Sequence, residues 1–149
     1  YCSRLTPGAA SAQVLESILE QSRRNNAELG ITGILCQGDD VFLQVLEGGR
    51  DEVNVLYRRL LKDPRHRDVT LMSFEPIAER RFVAWSMGAV NLHKLNPSLL
   101  LKHAVRPRLD PYDMQASNSR DQARWVTALQ SMLLPTSGPA RTSPPLLLG

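Results

Sequence analysis

The segment that most constrains the fold of this chain is residues 41–48, which read Val-Phe-Leu-Gln-Val-Leu-Glu-Gly. Its period-two pattern predicts a β-strand whose successive side chains point to opposite faces of a sheet. One face carries Val41, Leu43, Val45 and Glu47, and the other carries Phe42, Gln44 and Leu46. Gln44 thus brings an amide into a mostly apolar layer, where leaving it unpaired costs roughly 1–3 kcal/mol. The strand alone favours a structural glutamine, bonded to backbone or open to water.

The composition indicates one ordinary globular domain with some additional tail. The chain has 149 residues, of which 42% are apolar and 22% are charged, and this length allows a sizeable core. No apolar run approaches the roughly 18 residues that a membrane span requires. The opening residues are polar, so we expect no signal peptide.

The charged and metal-binding residue types argue against a nucleic-acid site or a metal site. The net charge is +3, and the arginine pairs are scattered along the chain as on solvated surfaces. Cys2 and Cys36 form no C-x-x-C pair, and His66, His93 and His103 show no ligand spacing. We therefore predict reduced thiols in a cytoplasmic protein, with no metal, no nucleic-acid partner and no membrane partner.

The first helix is predicted to begin after Ser11, a suitable N-cap residue. An apolar face at helical spacing is formed by Val14, Leu15, Ile18 and Leu19. The same arc then reaches the polar residues Ser22, Asn25 and Asn26. Asparagine is common at helix ends, so the pair fits a helix terminus. It fits equally well a surface that recognises the polar edge of a heterocycle, and the residues alone leave both interpretations open.

The remaining pattern completes a β-α-β-β-α-β-β order. Residues 30–36 and 41–47 are predicted to form a hairpin through a turn at 37–40. A second helix begins near Asp51 and ends at Asp63-Pro64, with an apolar stripe of Val53, Leu56, Tyr57, Leu60 and Leu61. Two more strands are predicted at 69–74 and 85–90, the latter with Trp85, Met87 and Ala89 on one face. This order favours a ferredoxin-like α+β sandwich, with two helices on one face of a mixed five-stranded sheet.

The sequence changes in character after residue 91, where three prolines interrupt it: Pro97, Pro107 and Pro111. From Asp121 a last helix is predicted, with an apolar face of Trp125, Val126, Leu129, Met132 and Leu133. From Pro135 onwards Pro, Ser, Thr and Gly dominate, which is typical of disorder. The predicted organisation is a globular domain at 1–92, a helical extension at 93–134 and a disordered tail at 135–149.

Five motifs in this order resemble the BLUF domain, a blue-light sensor that uses a flavin. They are Tyr1-x-Ser3; Asn25-Asn26 followed by Gly30-Ile-Thr-Gly; Phe42-Leu-Gln-Val-Leu-Glu-Gly; Asp63-Pro-Arg-His; and Pro76-Ile-x-x-Arg-Arg-Phe-x-x-Trp-Ser-Met. Each motif alone is weak, but the whole set at these spacings is specific and covers residues 1–90. The resemblance implies a non-covalent FAD or FMN between the two helices, with the ring edge facing the sheet.

The resemblance also implies a role for each site residue. Tyr1 matches the tyrosine that gives an electron to the excited flavin, and Gln44 matches the glutamine that bridges this tyrosine and the ring. The other cofactor contacts are Ser22, Asn25 and Asn26 at the ring edge, Ile18, Leu35 and Leu60 as apolar walls, and Asp63, Arg65 and His66 as a polar flank. Arg65 is also assigned to the ribityl or phosphate end. Trp85 and Met87 match the last-strand residues that pass the signal outward.

Simpler explanations exist for four of these residues. Trp85 and Met87 on a strand face are commonly plain core, since methionine fills gaps. His66 is by itself an ordinary loop residue, and Asp63 closes a helix. Without the resemblance these simpler roles are favoured.

The first strand departs from the family pattern. The family places several apolar residues before this tyrosine, whereas here the tyrosine is the first residue. We therefore expect a shortened first strand, with the α-amino group of Tyr1 beside the pocket, in a chain that lacks native N-terminal residues. We expect folding stability and flavin retention to be reduced accordingly.

The function predicted from the sequence is a blue-light photoreceptor without catalytic activity of its own. Light drives electron and proton transfer from Tyr1 and rearranges the hydrogen bonds of Gln44. The last strand then passes the signal to the C-terminal helix or to a separate signalling protein, and we also expect a homo-oligomer. The main alternative is a small flavin-dependent oxidoreductase, which needs an open substrate space and a hydride donor site. An RNA-binding sheet ranks last, because the opening strand offers only Phe42 as an aromatic.

Overall fold

The structure is a computed structural model that describes residues 1–8, 12–94, 98 and 111–112. Its strands and helices are β1 (Cys2–Leu5), α1 (Ala12–Glu28), β2 (Thr32–Gly38), β3 (Val41–Glu47), α2 (Arg50–Leu60), β4 (His66–Thr70) and β5 (Gly88–Asn91), followed by a 3-10 turn at Leu92–Lys94. The predicted N-cap Ser11, the helix from Asp121 and the tail at 135–149 lie outside the described residues. No helix in the described ranges is long and apolar enough to cross a membrane.

Five strands form one sheet in the order β4-β1-β3-β2-β5. β1 lies between β3 and β4 and is antiparallel to both. β2 is antiparallel to β3, and β5 is parallel to β2. This mixed sheet with two helices is the predicted ferredoxin-like α+β fold. The short strand β1 is therefore an interior strand, with a paired neighbour on each side.

The alternation of β3 divides the core into two apolar clusters, one on each face of the sheet. The helix-face cluster lies under α1, and its buried members are Leu5, Leu15, Ile18, Leu19, Leu35, Phe42 and Met87. The back-face cluster consists of buried Cys2, Ile34, Cys36, Leu43, Phe82, Val90 and Leu92. Phe42 and Leu46 pack on the first cluster, and Leu43 and Val45 on the second. The predicted division of this strand is thus confirmed.

Two special backbone positions allow β2 and β3 to pair closely. A Cβ atom built on Gly33 would lie 2.2 Å from the Val45 carbonyl oxygen, which is too close for any other residue. The hairpin turn contains Asp39 with a φ of 52°, a left-handed conformation that aspartate adopts more readily than most residues. These positions keep the ladder between the two strands continuous.

The fourth strand begins three residues earlier than predicted, at His66 instead of Val69. Its partner β1 begins at Cys2, which lies opposite Thr70. Beyond that point the described structure offers residues 71–77 no ladder partner, and Leu71 and Phe74 are 51% and 48% exposed. The alternation at 69–74 predicts the strand wrongly, because a strand also needs a neighbour to pair with.

The fifth strand begins at Gly88, so Trp85 and Met87 precede it. Trp85 lies in a turn, where its N–H donates to the Phe82 carbonyl at 3.1 Å. The Trp85 ring packs on the back-face cluster, whereas Met87 and Ala89 pack on the helix-face cluster. The predicted common face is therefore wrong for Trp85, because the turn interrupts the alternation.

The second helix ends one residue before its predicted apolar stripe does. It closes at Leu60, and Leu61 is a C-cap residue that is 51% exposed. Leu56 is the one buried side chain of α2, while Val53 and Tyr57 are half-buried. The face of α2 that is turned toward the sheet is consequently only partly covered by other protein groups.

A cavity of about 340 Å³, here called the strand gap, lies at the start of β1 between β3 and residues 71–77. Its lining includes Tyr1, Val45, Val53, Met72 and Phe74. The backbone N–H and C=O of Gln44 bond to Tyr1, on the side away from β2. Because the direction of these groups alternates along a strand, the backbone N–H and C=O of Leu46 point to the same side, into the gap. An apolar lining beside a backbone edge is what an added strand segment requires.

We expect four apolar residues added before Tyr1 to stabilise the fold. Such a segment continues β1 into the strand gap, and each side chain that becomes fully buried contributes about 1.5–3 kcal/mol. Each kcal/mol raises the midpoint of thermal unfolding by roughly 4 °C for a domain of this size. Thermal unfolding of a chain extended by Ile-Val-Leu-Val should therefore show a clear rise over the original chain. An extension by Gly-Ser-Gly-Ser is the control, and equal midpoints for the two extensions would contradict the strand gap.

Candidate functional site

The site is built around Tyr1, which immediately precedes β1, and Gln44 of β3, which lies opposite it. The Gln44 N–H donates to the Tyr1 carbonyl at 2.9 Å, and the Tyr1 amino group donates to the Gln44 carbonyl at 3.0 Å. Their side chains also meet, since the Tyr1 hydroxyl donates to Gln44 Oε1. Gln44 Nε2 in turn donates to the Met87 sulfur at 3.4 Å. The amide that is unexpected in an apolar layer thus has a partner at each end.

Burial controls the chemistry of Tyr1. The residue is 9% exposed, and its ring centroid lies 5.7 Å from that of Tyr57, with the rings tilted by 54°. Desolvation, followed by the smaller effects of Asp63 and Tyr57, raises the pKa of the Tyr1 phenol well above its usual range. The hydroxyl is therefore protonated at every physiological pH and is available as a hydrogen-bond donor.

Asn26 is the most deeply buried residue of the predicted ring-edge set. It lies in the last turn of α1 and is 1% exposed, and its Nδ2 donates to the Ser86 carbonyl at 2.7 Å. Its Oδ1 is buried without a hydrogen-bond partner. Such an atom is costly unless it accepts a hydrogen bond, so it indicates a ligand that carries an N–H group. The other two members of the set, Ser22 and Asn25, are half-exposed.

The polar flank forms where α2 ends and β4 begins. Arg65 holds Asp63 with two nitrogens, Nη2 at 2.6 Å from Oδ2 and Nε at 2.9 Å from Oδ1. Arg65 Nη2 also donates to Oε1 of Gln21 on α1 at 2.7 Å. Burial by itself would raise the pKa of Asp63, but the hydrogen bonds from Arg65 outweigh it and hold that pKa below its usual value. The flank is therefore an oriented ion pair that links the end of α2 to α1.

His66 is a buried residue of β4, not a loop residue. Its Nδ1 lies 2.9 Å from the Ser3 hydroxyl, and its ring centroid lies 5.4 Å from that of Phe42. Its Nε2 is buried without a hydrogen-bond partner. Desolvation lowers the pKa of this imidazole; Asp63 raises that pKa, and Arg65 lowers it further. A neutral histidine with one unpaired ring nitrogen is the result.

The predicted apolar walls and signal residues fall in different places. Ile18 and Leu35 are 5% and 2% exposed within the helix-face cluster, and Leu60 is half-exposed at the end of α2. Met87 contacts Gln44, as described above. Trp85 instead stacks on Phe82 at 6.3 Å between ring centroids, on the back face. The structure thus brings Met87 to the Tyr1–Gln44 pair and separates Trp85 from it.

Sequence reasoning misses the groups that hold the segment before β5 in place. Glu47 is 5% exposed, and its Oε2 accepts the N–H groups of Arg81 at 2.8 Å and Phe82 at 3.0 Å. Arg23 Nε donates to the Met87 carbonyl at 3.3 Å. A glutamate on an otherwise apolar strand face is a signal that identifies a buried carboxylate in need of donors. The sequence around Arg23 does not indicate a comparable role, because its partner, the Met87 carbonyl oxygen, is distant in the chain and is brought close only by the fold.

Two buried side-chain atoms of the predicted site residues lack a hydrogen-bond partner within the described part of the chain. Within the described ranges, no three His, Cys, Asp or Glu side chains gather as metal ligands. The buried atoms that need a partner are Asn26 Oδ1 and His66 Nε2. Together with the amide of Gln44, they offer hydrogen-bond acceptors and donors to a ring with alternating N–H and C=O groups.

Comparisons with known proteins agree with this chemistry. Residues 1–88 match the family model BLUF, described as sensors of blue-light using FAD. Photoactivated adenylate cyclase subunit beta of Euglena longa is 40% identical over 74 residues, or 49% of this chain and 9% of that protein. The structure of BlsA in its photo-activated state has a TM-score of 0.76 and 26% identity, covering 87% of this chain and 90% of that chain. The dark-state structure of BlrB, a BLUF protein, has a TM-score of 0.66 and 31% identity, covering 89% and 92%.

These matches differ in extent. The chain spans 9% of the length of the cyclase subunit, so it corresponds to one module of a much longer protein. It covers 90% of BlsA and 92% of BlrB. The likeness therefore applies to the sensor module, and the cyclase activity named for the longer relative is not carried by it.

Lowering the pH from 7.5 to 5.5 should destabilise the fold through His66. The pKa of this histidine is lowered in the folded state from its usual value of 6.5, chiefly by desolvation. The folded chain then binds fewer protons than the unfolded chain as the pH falls below the unfolded pKa. The contribution of neutral His66 is therefore present above pH 6.5 and is lost as the pH falls toward the folded pKa.

Thermal unfolding of the original chain and of His66→Gln across this range measures the effect. We expect a smaller loss of midpoint temperature on acidification for the variant. His93→Gln is the matched control, because it makes the same substitution at a histidine that is 61% exposed. The same slope in all three chains would be inconsistent with a buried neutral His66.

Proposed function

Since the chain belongs to the BLUF family of blue-light sensors, we propose that its response to light begins at the pair of Tyr1 and Gln44. The observation that carries this proposal is the run of contacts from the Tyr1 hydroxyl to Gln44 Oε1, and from Gln44 Nε2 to the Met87 sulfur. A phenol supplies an electron and a proton, and an amide has a donor end and an acceptor end. Both groups are buried, so water does not compete for their hydrogen bonds, and a rearrangement of these bonds has a larger energetic effect than it would in solvent.

The proposed cofactor is a non-covalent flavin, FAD as in the family description, with FMN as the alternative. When bound, the flavin absorbs blue light and accepts an electron. The atoms proposed to meet its polar edge are Asn26 Oδ1 and His66 Nε2, which have no protein partner, together with the amide of Gln44. Also assigned to the pocket are Ser22, Asn25, Asp63 and Arg65 as polar groups, and Ile18, Leu35 and Leu60 as apolar walls.

Tyr1 is proposed to lose one electron and then the proton of its hydroxyl group. Loss of the electron makes the phenol strongly acidic, and Gln44 Oε1 already accepts its hydrogen bond. Return of the electron and the proton restores the neutral phenol, which burial favours. Gln44 is left with its amide rearranged by rotation or tautomerisation. A stronger hydrogen bond from Gln44 to the ring carbonyl is expected to shift the absorption to the red.

The output of the sensor is proposed to pass through Met87 and the turn that contains Trp85 to the C-terminal extension. Met87 contacts Gln44 and lies next to β5, and Trp85 lies on the back face. The predicted helix from Asp121 is proposed to dock on that face, and a downstream signalling protein and self-association are proposed as further partners. We assign the chain no catalytic activity of its own. A cytoplasmic location is also proposed, because the buried thiols of Cys2 and Cys36 form no disulfide.

The oxidoreductase alternative finds no support. The matching family and the solved structures with similar folds are light sensors.

We expect Gln44→Leu and Tyr1→Phe each to retain flavin and to lose the photocycle. Leucine has similar bulk to glutamine but no amide to rearrange, and phenylalanine lacks the phenolic proton. Absorption spectra before, during and after blue illumination measure this, and the original chain should show a reversible red shift. Heat denaturation should release all of the flavin, since neither cysteine lies in a recognisable attachment context.

Gln37→Leu is the matched control, because it makes the same change on the neighbouring strand β2, where Gln37 is half-exposed. It should keep the red shift. A reversible shift in Gln44→Leu or Tyr1→Phe would rule out this pair as the photoactive contact.

Asn26→Leu should weaken flavin binding about tenfold, because one hydrogen bond with its desolvation is worth about 1.4 kcal/mol. Asn25→Leu changes the adjacent, half-exposed residue and should weaken binding less than about twofold. Flavin fluorescence titration measures both affinities, with thermal unfolding as a check on the fold. Equal losses at the two positions would show that the buried Oδ1 of Asn26 does not recognise the flavin.

A further inference from the structure

Tyr112 lies on the back face of the sheet, behind the Tyr1–Gln44 pair. Its hydroxyl donates to the carbonyl oxygen of Asp68 on β4 at 2.8 Å. The Arg4 guanidinium of β1 lies 4.4 Å from its ring centroid, and the ring packs on the back-face cluster. The preceding residue, Pro111, is fully buried. These contacts hold Tyr112 across the two neighbouring strands β1 and β4.

The alternation of β1 connects Tyr112 with the site. Tyr1 faces Gln44, and the next residue, Cys2, points to the back face, where it is 0% exposed. Arg4, two residues further along β1, points to the same face, where its guanidinium contacts the Tyr112 ring. The residue that bonds to Gln44 is therefore joined by one peptide bond to the surface on which Tyr112 rests.

β4 is irregular at the point where Tyr112 meets it. Cys2 pairs with Thr70 and Arg4 pairs with Arg67. Between these two pairs the chain advances by two residues on β1 but by three on β4. The extra residue makes a bulge, and Asp68 within it has a φ of 53°. Aspartate adopts this left-handed conformation more readily than most residues, and contacts with neighbouring groups help to hold it there. The bond from Tyr112 is one of these contacts.

The contact with Tyr112 is insensitive to pH. Burial raises the pKa of its phenol to about 12, with Cys2 and Asp68 adding to the effect and Arg4 opposing it. The charged groups nearby are already paired, with Arg4 at 3.5 Å and Arg67 at 3.7 Å from Asp40. The hydroxyl is therefore a permanent donor, and only a movement of β1 or β4 can alter its bond to Asp68.

We propose that Tyr112 is the contact through which a rearrangement at the Tyr1–Gln44 pair reaches the C-terminal part of this chain. The inference rests on the proposed function of that pair. Two backbone bonds and one side-chain bond join Tyr1 to Gln44, so a change in the side-chain bond acts directly on β1. Cys2 and Arg4 then move with β1, which changes the surface that the Tyr112 ring contacts. The bulge of β4 accommodates the resulting shift of β1 relative to β4.

This route is separate from the one through Met87. β4 and β5 lie at opposite edges of the sheet, so a signal through Tyr112 leaves at the β4 edge and a signal through Met87 leaves at the β5 edge. The segment that receives it is the chain that follows residue 112.

Tyr112→Phe tests the proposal, because it removes the bond to Asp68 and keeps the ring on Arg4. The flavin-loaded full chain is measured by absorption and by hydrogen exchange in the dark and under blue light. We expect the variant to keep the reversible red shift. We expect the difference in exchange between light and dark, at residues 66–70 and around 112, to fall by more than half. The rate of dark recovery should change about two- to tenfold, as expected for one hydrogen bond.

Ser17→Ala is the control, because it removes a comparable hydroxyl bond, 2.8 Å to the Val14 carbonyl, on the exposed side of α1. It should leave every readout unchanged. A structural role for Tyr112 alone would raise exchange equally in dark and light, and an unchanged difference would overturn the proposal. Arg4→Met, which removes the cation from the ring, should act in the same direction as Tyr112→Phe. Absence of the red shift in the original chain would instead overturn the proposed function, and this route with it.

Discussion

The backbone pairing of Tyr1 with Gln44 is the interaction on which the rest of the structure depends. It joins the start of β1 to β3 and brings a phenol within bonding distance of a buried amide. An amide left unpaired in this layer would cost roughly 1–3 kcal/mol, so the contact that is proposed to respond to light also stabilises the fold. A sensor needs two hydrogen-bonded arrangements of similar free energy. Gln44 is the group proposed to supply them, since its amide is buried and has a hydrogen-bond partner at each end, a phenol and a thioether.

The parts of the structure that sequence predicts are those set by local pattern. The alternation of 41–47 correctly assigns both faces of β3. Of the three polar residues that end the α1 stripe, Asn26 is buried, whereas Ser22 and Asn25 are half-exposed. The errors concern strands whose extent depends on distant neighbours. β4 stops where its partner β1 begins, and β5 starts only after the turn at Trp85. Neither limit is written in the residues of the strand itself.

The segment between β4 and β5 shows why its anchors escape prediction. From residue 71 to residue 87 it forms no strand, and three side chains from two other elements hold it. Glu47 of β3 accepts two of its N–H groups, and Asn26 and Arg23 of α1 bond to two of its carbonyl groups. Such an element has few backbone bonds of its own and can change position without breaking the sheet. It also carries Met87, which contacts Gln44. The irregular segment 71–87 is thus linked, through Met87, to the buried pair of Tyr1 and Gln44.

A single sheet separates the site from the back face, and this geometry determines how a signal can cross. Adjacent residues of a strand lie on opposite faces, so no chain of side chains through a thick core is needed between Tyr1 and the surface beneath Tyr112. β1 is paired on both sides, and a displacement of it must be taken up by β3 or β4. The complete ladder of β3 with β2 resists such a displacement, whereas the ladder of β4 already contains a bulge at Asp68. The deformation therefore concentrates in β4, at the residue whose carbonyl oxygen holds the hydroxyl of Tyr112.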